Sequence, residues 1–336
     1  MTSAADQMQS FERVPSVTIG LPVYNGENYL AKTIESVLAQ TFGDFEVVIC
    51  DNASTDRTQT ICEEFARQDS RIRYFRNERN LGAGPNYDLC YARARGEFFK
   101  WAAHDDLLAP TYLEKTVALM AANPDAVLCC VGITEIGPRD EVLRAYTNVL
   151  PGIDSSSPAR RLAGMILYRH QCEDFFGLYR RKALEGSDLH GLYAGSDRVL
   201  LAEIALRGRC VMVQEPLFLH REHNDRYTRA VLLGDRKKAV GWQDAEGARK
   251  AKPKASMFYW VVYKNFWRVV NKTIKDPGAR LACYVRLLHW WFVDYHFPDV
   301  VKDVLTATYP PLVGPFRAVK RAFFGVDKQR PGSLPS

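Results

Sequence analysis

From Val17 to Trp101, short apolar runs alternate with amphipathic stretches, and that alternation leaves few folds open. VTIGLPVY (17–24) leads to NYLAKTIESVLAQ (28–40). FEVVIC (45–50) leads to a helical stretch from Asp56 to Gln68. IRYFRN (72–77) leads to NYDLCYARAR (86–95), and EFFKWAA (97–103) follows. Runs this short suit buried strands rather than helices, and strands separated by helices build βαβ units around a mostly parallel sheet. The punctuation agrees: Asp56 can cap its helix, Gly96 stands where a helix would stop, and Pro110 suits the first turn of TYLEKTVALM. A chain of 336 residues, 47% hydrophobic, has ample material for the core such a fold needs.

Ligands of open α/β sheets bind at the carboxyl ends of the strands. Three polar groups fall there: PVYN (22–25), Asp51 with Asn52, and His104 with the adjacent acids Asp105 and Asp106. Two neighbouring carboxylates resist burial together, so a cation, a positive side chain or water should face them. LGAGPN (81–86) lacks the third glycine of a dinucleotide fingerprint, and no phosphate-binding GxxxxGK[ST] loop occurs. A nucleotide diphosphate bound here would need another source of positive charge, and acids holding Mg²⁺ or Mn²⁺ supply one.

The chain resembles the inverting, metal-dependent glycosyltransferases of family 2, which have the GT-A fold. The matching residues are PVYNGENYLAKTIESVLAQTFGDFEVVICDNASTD (22–56), NERNLGAGPN (77–86), ARGEFFKWAAHDD (94–106) and GSDRVLLAEIALRGRCVMVQEPLFLHREH (195–223). The resemblance implies that Pro22, Tyr24 and Asn25 form the loop against the nucleotide base, with Tyr24 stacking on it, and that Asp51 accepts a hydrogen bond from the base. Asn80 and Gly82 resemble further donor-binding positions. Asp105 and Asp106 resemble the metal-holding pair, with Asp106 the direct ligand. Asp197 resembles the general base, and Arg221 and His223 the late element near the diphosphate, with His223 on the metal side. Two positions depart from the family pattern: Ala103 stands where many members carry a further acid, and Ser196 where many have glutamate. The implied reaction moves a sugar from a nucleotide sugar, UDP- or dTDP-linked ahead of GDP-linked, to a hydroxyl of a glycan, polysaccharide precursor or glycolipid. A nucleotidyltransferase shares the layout but would favour a lysine- and arginine-rich loop after the first strand, which NGENYLAK does not offer. A non-catalytic scaffold is the other rival, opposed by the intact Asp51, Asp106 and Asp197.

The organisation expected is an N-terminal arm (1–14) without signal-peptide character, a GT-A domain (15–229), a helical extension (230–326) and a disordered tail (327–336). Eight cysteines without a C-x-x-C pair suit buried thiols in a cytoplasmic protein. Charge divides unevenly: residues 230–336 hold 19 Lys/Arg against 8 Asp/Glu, a balance of +11, whereas the first 229 carry −5. A basic tail rich in tryptophan, as in MFYWVVYKNFWRVV and RLLHWWFVDYHF, suits an anionic membrane surface on the cytoplasmic side, and VGPFRAVKRAFFG (313–325) favours that contact. Aromatics packing onto the catalytic domain would read the same way. No nucleic-acid-binding module is recognisable, so no nucleic-acid partner is expected.

Overall fold

A computed structural model of the protein describes residues 14–168, 170–223, 258–293, 300–302 and 304–305. Among these, nine strands form one mixed sheet in the order β3-β2-β1-β4-β8-β6-β9-β5, with β7 paired to β6. The first four are β1 (Val17–Val23), β2 (Phe45–Asp51), β3 (Ile72–Arg76) and β4 (Phe98–Trp101). They are mutually parallel and match the four apolar runs. The remainder are β5 (Leu107–Leu108), β6 (Ala126–Ile136), β7 (Val142–Tyr146), β8 (Leu178–Arg180) and β9 (Arg209–Arg221). Antiparallel β8 joins β4 to β6, and β6 runs parallel to the long β9. The mixed sheet with its flanking helices is the expected α/β architecture.

Strand residues alternate between two cores. Val47 and Ile49 enter one apolar cluster while Val48 and Cys50 enter the other, as a period of two requires of a strand buried on both faces. The helix Leu30–Leu38 buries Leu30, Thr33, Ile34 and Val37, one stripe at helical spacing. All eight cysteines are free and buried.

Two local expectations are corrected. The third helix spans Ala83–Ala92, so it begins directly after Gly82 (φ +91°) and ends before Gly96. Gly96 is no helix cap: its N–H donates to Thr18 Oγ1 at 2.9 Å, and a β-carbon there would lie 2.6 Å from the Thr18 nitrogen. Its role is to let the chain pass against β1.

The described part of the extension includes the helices Phe258–Thr273 and Pro277–Trp290 and helical residues at 300–302 and 304–305. The boundary expected at 229/230, and the stretches 1–13, 313–325 and 327–336, lie outside the described residues. Much of the aromatic content points inward. Val262, Tyr263, Phe266, Val270 and Trp290 join the same core cluster as Trp101 and Leu201. Tyr263 stacks on Trp290 at 5.3 Å, and Trp267 on Tyr284 at 4.3 Å. Arg268 and Lys272 pair with Asp188, and Lys272 also with Glu203. No helix among the described residues is long and apolar enough to cross a membrane.

Candidate active site

The site lies where β1, β2 and β4 end. Pro22 is buried within β1, in register with Cys50. Gly20 O accepts from Ala102 N, so the backbone of Pro22 two residues on faces the same side, past the last β4 pairing at Trp101. A residue without an N–H is tolerated there because β4 no longer needs a donor. Tyr24 follows, 44% exposed, with its ring open to a planar ligand. Asn25 turns the chain at φ +51°, and its Oδ1 accepts from Thr55 N at 2.8 Å. Its amide oxygen therefore joins this loop to the next one.

Asp51 is completely buried at the tip of β2. Its Oδ1 accepts from Ser54 N at 2.9 Å, and its Oδ2 accepts from Tyr74 Oη at 2.8 Å and faces Arg76 at 3.4 Å. The carboxylate shapes the loop that holds Ala53 at φ +60°, a conformation costing an alanine about 1–2 kcal/mol. Next to it, Asn52 donates to Asn80 Oδ1 and to Gly82 O, both at 3.0 Å, and accepts from Asn77 and from Leu81 N. Asn77 bonds Asn86, which donates to Cys50 O. Asn80 and Gly82 thus belong to a lattice of amides that fixes the segment 77–86 over the sheet.

The acid pair divides into a buried and a more exposed member. Asp106 is 5% exposed. Its Oδ1 accepts from Arg221 N at 2.8 Å and lies 3.3 Å from His220 Nδ1. Antiparallel pairing of β5 with β9, Leu107 opposite Leu219, brings these partners in. Asp106 therefore ties β9 to the acid loop. Asp105, the more exposed of the two, has its Oδ2 2.9 Å from His223 Nε2.

Arg221 lies behind the acid loop. It is fully buried, with Nε donating to Asp105 O at 2.7 Å, Nη1 to Gly137 O at 3.0 Å, and the guanidinium 4.6 Å from the Tyr29 ring centroid and paired with Asp140. These contacts brace the Asp105 backbone from behind.

Asp197 opens the helix Ser196–Arg207, and its Oδ1 accepts from Arg198 N at 2.9 Å. Gly195 ahead of it sits at φ +85° against Val262 and Phe258 of the extension. Ser196, at the departure from the family pattern, has Oγ 3.2 Å from His190 Nδ1, and the His190 ring lies 5.1 Å from that of Tyr87. Burial raises the Tyr87 hydroxyl pKa, and Asp105, Asp106 and Asp197 all push it the same way. Tyr87 thus stands within electrostatic reach of both the acid pair and the distant aspartate.

Tyr87, His190, His220 and Lys100 were not singled out by sequence reasoning. Only their tertiary partners distinguish them from packing residues. Lys100 is fully buried in β4, its Nζ donating to Phe176 O and lying 4.5 Å from the Tyr112 ring centroid and 5.2 Å from that of Phe218. Burial pulls its pKa down to about 7, and Asp106 opposes the fall. The unfolded chain keeps this proton up to about pH 10.4, so above about pH 7 the unfolded state binds more protons and stability rises with pH. Thermal melts from about pH 7 to 10 should show a rising midpoint, with the rise reduced in Lys100→Met. Identical slopes in the two proteins would remove Lys100 as its source.

The strand order and helical layers define a GT-A architecture, shared with solved structures over most of their length. S. aureus TarS 1–349, crystallised with UDP-GlcNAc, superposes with a TM-score of 0.61 at 16% identity, covering 90% of this chain and 87% of that one. The model of glycosyl transferase family 2 matches residues 18–186, half of the sequence, and the chain belongs to that family. An uncharacterized glycosyltransferase of Rickettsia typhi is 36% identical over 118 residues, covering 34% of this chain and 36% of the relative. The putative glycosyltransferase EpsE of Bacillus subtilis is 36% identical over 107 residues, covering 32% and 38%. The match spans little more than a third of the length of these curated relatives.

Proposed function

We propose that the protein is an inverting glycosyltransferase that moves one sugar from a nucleoside diphosphate to a hydroxyl of a glycan, polysaccharide precursor or glycolipid. The acceptor oxygen attacks the anomeric carbon from the face opposite the diphosphate, the bond from that carbon to the diphosphate oxygen breaks, and Asp197 takes the hydroxyl proton. Tyr24 offers its exposed ring to the base, while Asp51 and the asparagine lattice hold the loops that flank it.

The observation that carries this reading is the meeting of Asp105 and His223, 118 residues apart in sequence and 2.9 Å apart in space, at the strand ends where the ligands of this architecture bind. Among the described residues no group of three or more His, Cys, Asp or Glu is arranged to hold a metal. A carboxylate and an imidazole nevertheless fit Mg²⁺ or Mn²⁺ arriving with a nucleotide, because these ions combine few protein ligands with phosphate oxygens. Such a cation, held by Asp105 and His223, would neutralise charge gathering on the departing diphosphate.

Calorimetric titration with UDP, dTDP and GDP, each with and without Mn²⁺, tests the reading, with UDP first because TarS binds UDP-GlcNAc. One nucleotide should bind roughly tenfold more tightly with metal, and Asp105→Ala should lose that gain. Absence of binding under every condition would favour a scaffold. A metal gain untouched by Asp105→Ala would return the ligand role to Asp106.

A further inference from the structure

The helix Pro277–Trp290 has two faces of different use. Cys283, Leu287 and Trp290 are buried against the body of the protein. On the opposite side, Leu281, Val285 and Leu288 are 64%, 52% and 57% exposed, and Phe292, just past the helix, is 81% exposed. Their spacing of four, three and four residues makes one continuous stripe. At 3.6 residues per turn, Arg280 and Arg286 fall on either side of the buried face, and both are half-buried. His289 is exposed in the last turn and Lys275 just ahead of the first. The helix contains no acid, and Asp276 before it uses its carboxylate to cap Ala279 N at 2.7 Å.

We propose that this stripe is a docking face for an anionic lipid surface. An apolar strip with an exposed lysine ahead of it matches the boundary between acyl chains and negatively charged headgroups, where leucine, valine and phenylalanine leave water while lysine and long arginine side chains reach phosphate. The net +11 of residues 230–336 has the matching sign, and the acidic body ahead of it does not. With no membrane-crossing helix among the described residues, the geometry is that of a helix lying on the surface. Residues 274–276 join this helix to Phe258–Thr273, which packs against Gly195 ahead of Asp197. The docking face and the proposed base therefore share one scaffold. The surface is argued independently of the transfer reading; its service to a lipid-linked acceptor rests on that reading.

Flotation of the full-length protein with phosphatidylcholine vesicles, with and without phosphatidylglycerol, tests the proposal. The protein should float with the anionic vesicles and be released by high salt. Leu288→Glu combined with Phe292→Glu should cut partitioning by roughly tenfold or more. Lys275→Gln with Arg280→Gln should cut it by about fivefold per charge, on anionic vesicles only. Failure to float, or flotation indifferent to the glutamates, overturns the proposal. So does a concentration-dependent dimer dissolved by the same glutamates, which would assign the face to a second copy. A lowered melting midpoint without vesicle binding would assign it to the chain's own residues. Nucleotide titration of the same samples keeps the two readings apart. Lost flotation with intact nucleotide binding overturns the docking face alone, and lost nucleotide binding with intact flotation overturns the transfer reading alone.

Discussion

Asp197→Asn should lower kcat by about 10²- to 10⁴-fold while changing nucleotide affinity by less than about threefold. Asparagine keeps the shape of the side chain and an oxygen able to accept the bond from Arg198 N that Asp197 accepts at 2.9 Å, so the start of the helix Ser196–Arg207 should survive. What disappears is a group able to receive the acceptor proton at neutral pH. Kinetics with the donor identified by titration, alongside calorimetry on the same variant, separate the two quantities. A variant that turns over at the parent rate would remove Asp197 from the base role. One that loses nucleotide affinity and turnover together would make Asp197 part of the donor pocket.

Gly195→Ala should destabilise the protein by about 2–4 kcal/mol, combining left-handed strain with overpacking. At φ +85° a β-carbon is disfavoured in itself, and here it would also lie 2.8 Å from Val262 Cγ2 and 3.0 Å from Phe258 Cε2. Relief can come only if the loop or the helix Phe258–Thr273 moves, and the loop carries Asp197 two residues on. Activity should therefore fall even at temperatures where the variant stays folded. Adding Val262→Ala removes one of the colliding atoms, so the double variant should be more stable than the two single losses predict. Denaturant midpoints of the four proteins in the cycle measure that coupling. Strict additivity would mean that the strain at Gly195 is purely a matter of φ.

The layered α/β plan was legible because it is written locally. VTIGLPVY, FEVVIC, IRYFRN and EFFKWAA each became a strand within one or two residues, since a buried parallel strand needs nothing beyond a short apolar run between breakers. The start of the third helix was hidden by Gly84 and Pro85, which read as a loop. Proline is tolerated in a first turn because the first N–H groups of a helix have no helical partner. At the site, the sequence showed the two adjacent acids but not their different contacts. Which of Asp105 and Asp106 is buried depends on β9, more than a hundred residues later, delivering the Arg221 N–H to Asp106, while His223 meets Asp105. No periodicity encodes such a meeting. Arg221 shows the same limit, since nothing in its residue type announces that it is fully buried with its Nε on Asp105 O. The aromatic extension was ambiguous for a related reason: composition is the same whether a tryptophan faces a bilayer or a core, and Trp290 turned to the core while Phe292 did not.

The contact between the extension and Gly195 also sets an order of events during synthesis. A ribosome adds the N-terminal part first, at about 5–20 residues per second. Val262, which meets Gly195, follows Asp197 by about 65 residues, a delay of roughly 3–13 s at that pace. During the interval the parallel strands and the loops beside Tyr24 and Asp51 are already available to fold, whereas the buttress behind Gly195 has yet to be made. A nascent chain can thus complete the strand-end loops before the proposed base is braced, and the finished arrangement dates from the emergence of the helix Phe258–Thr273.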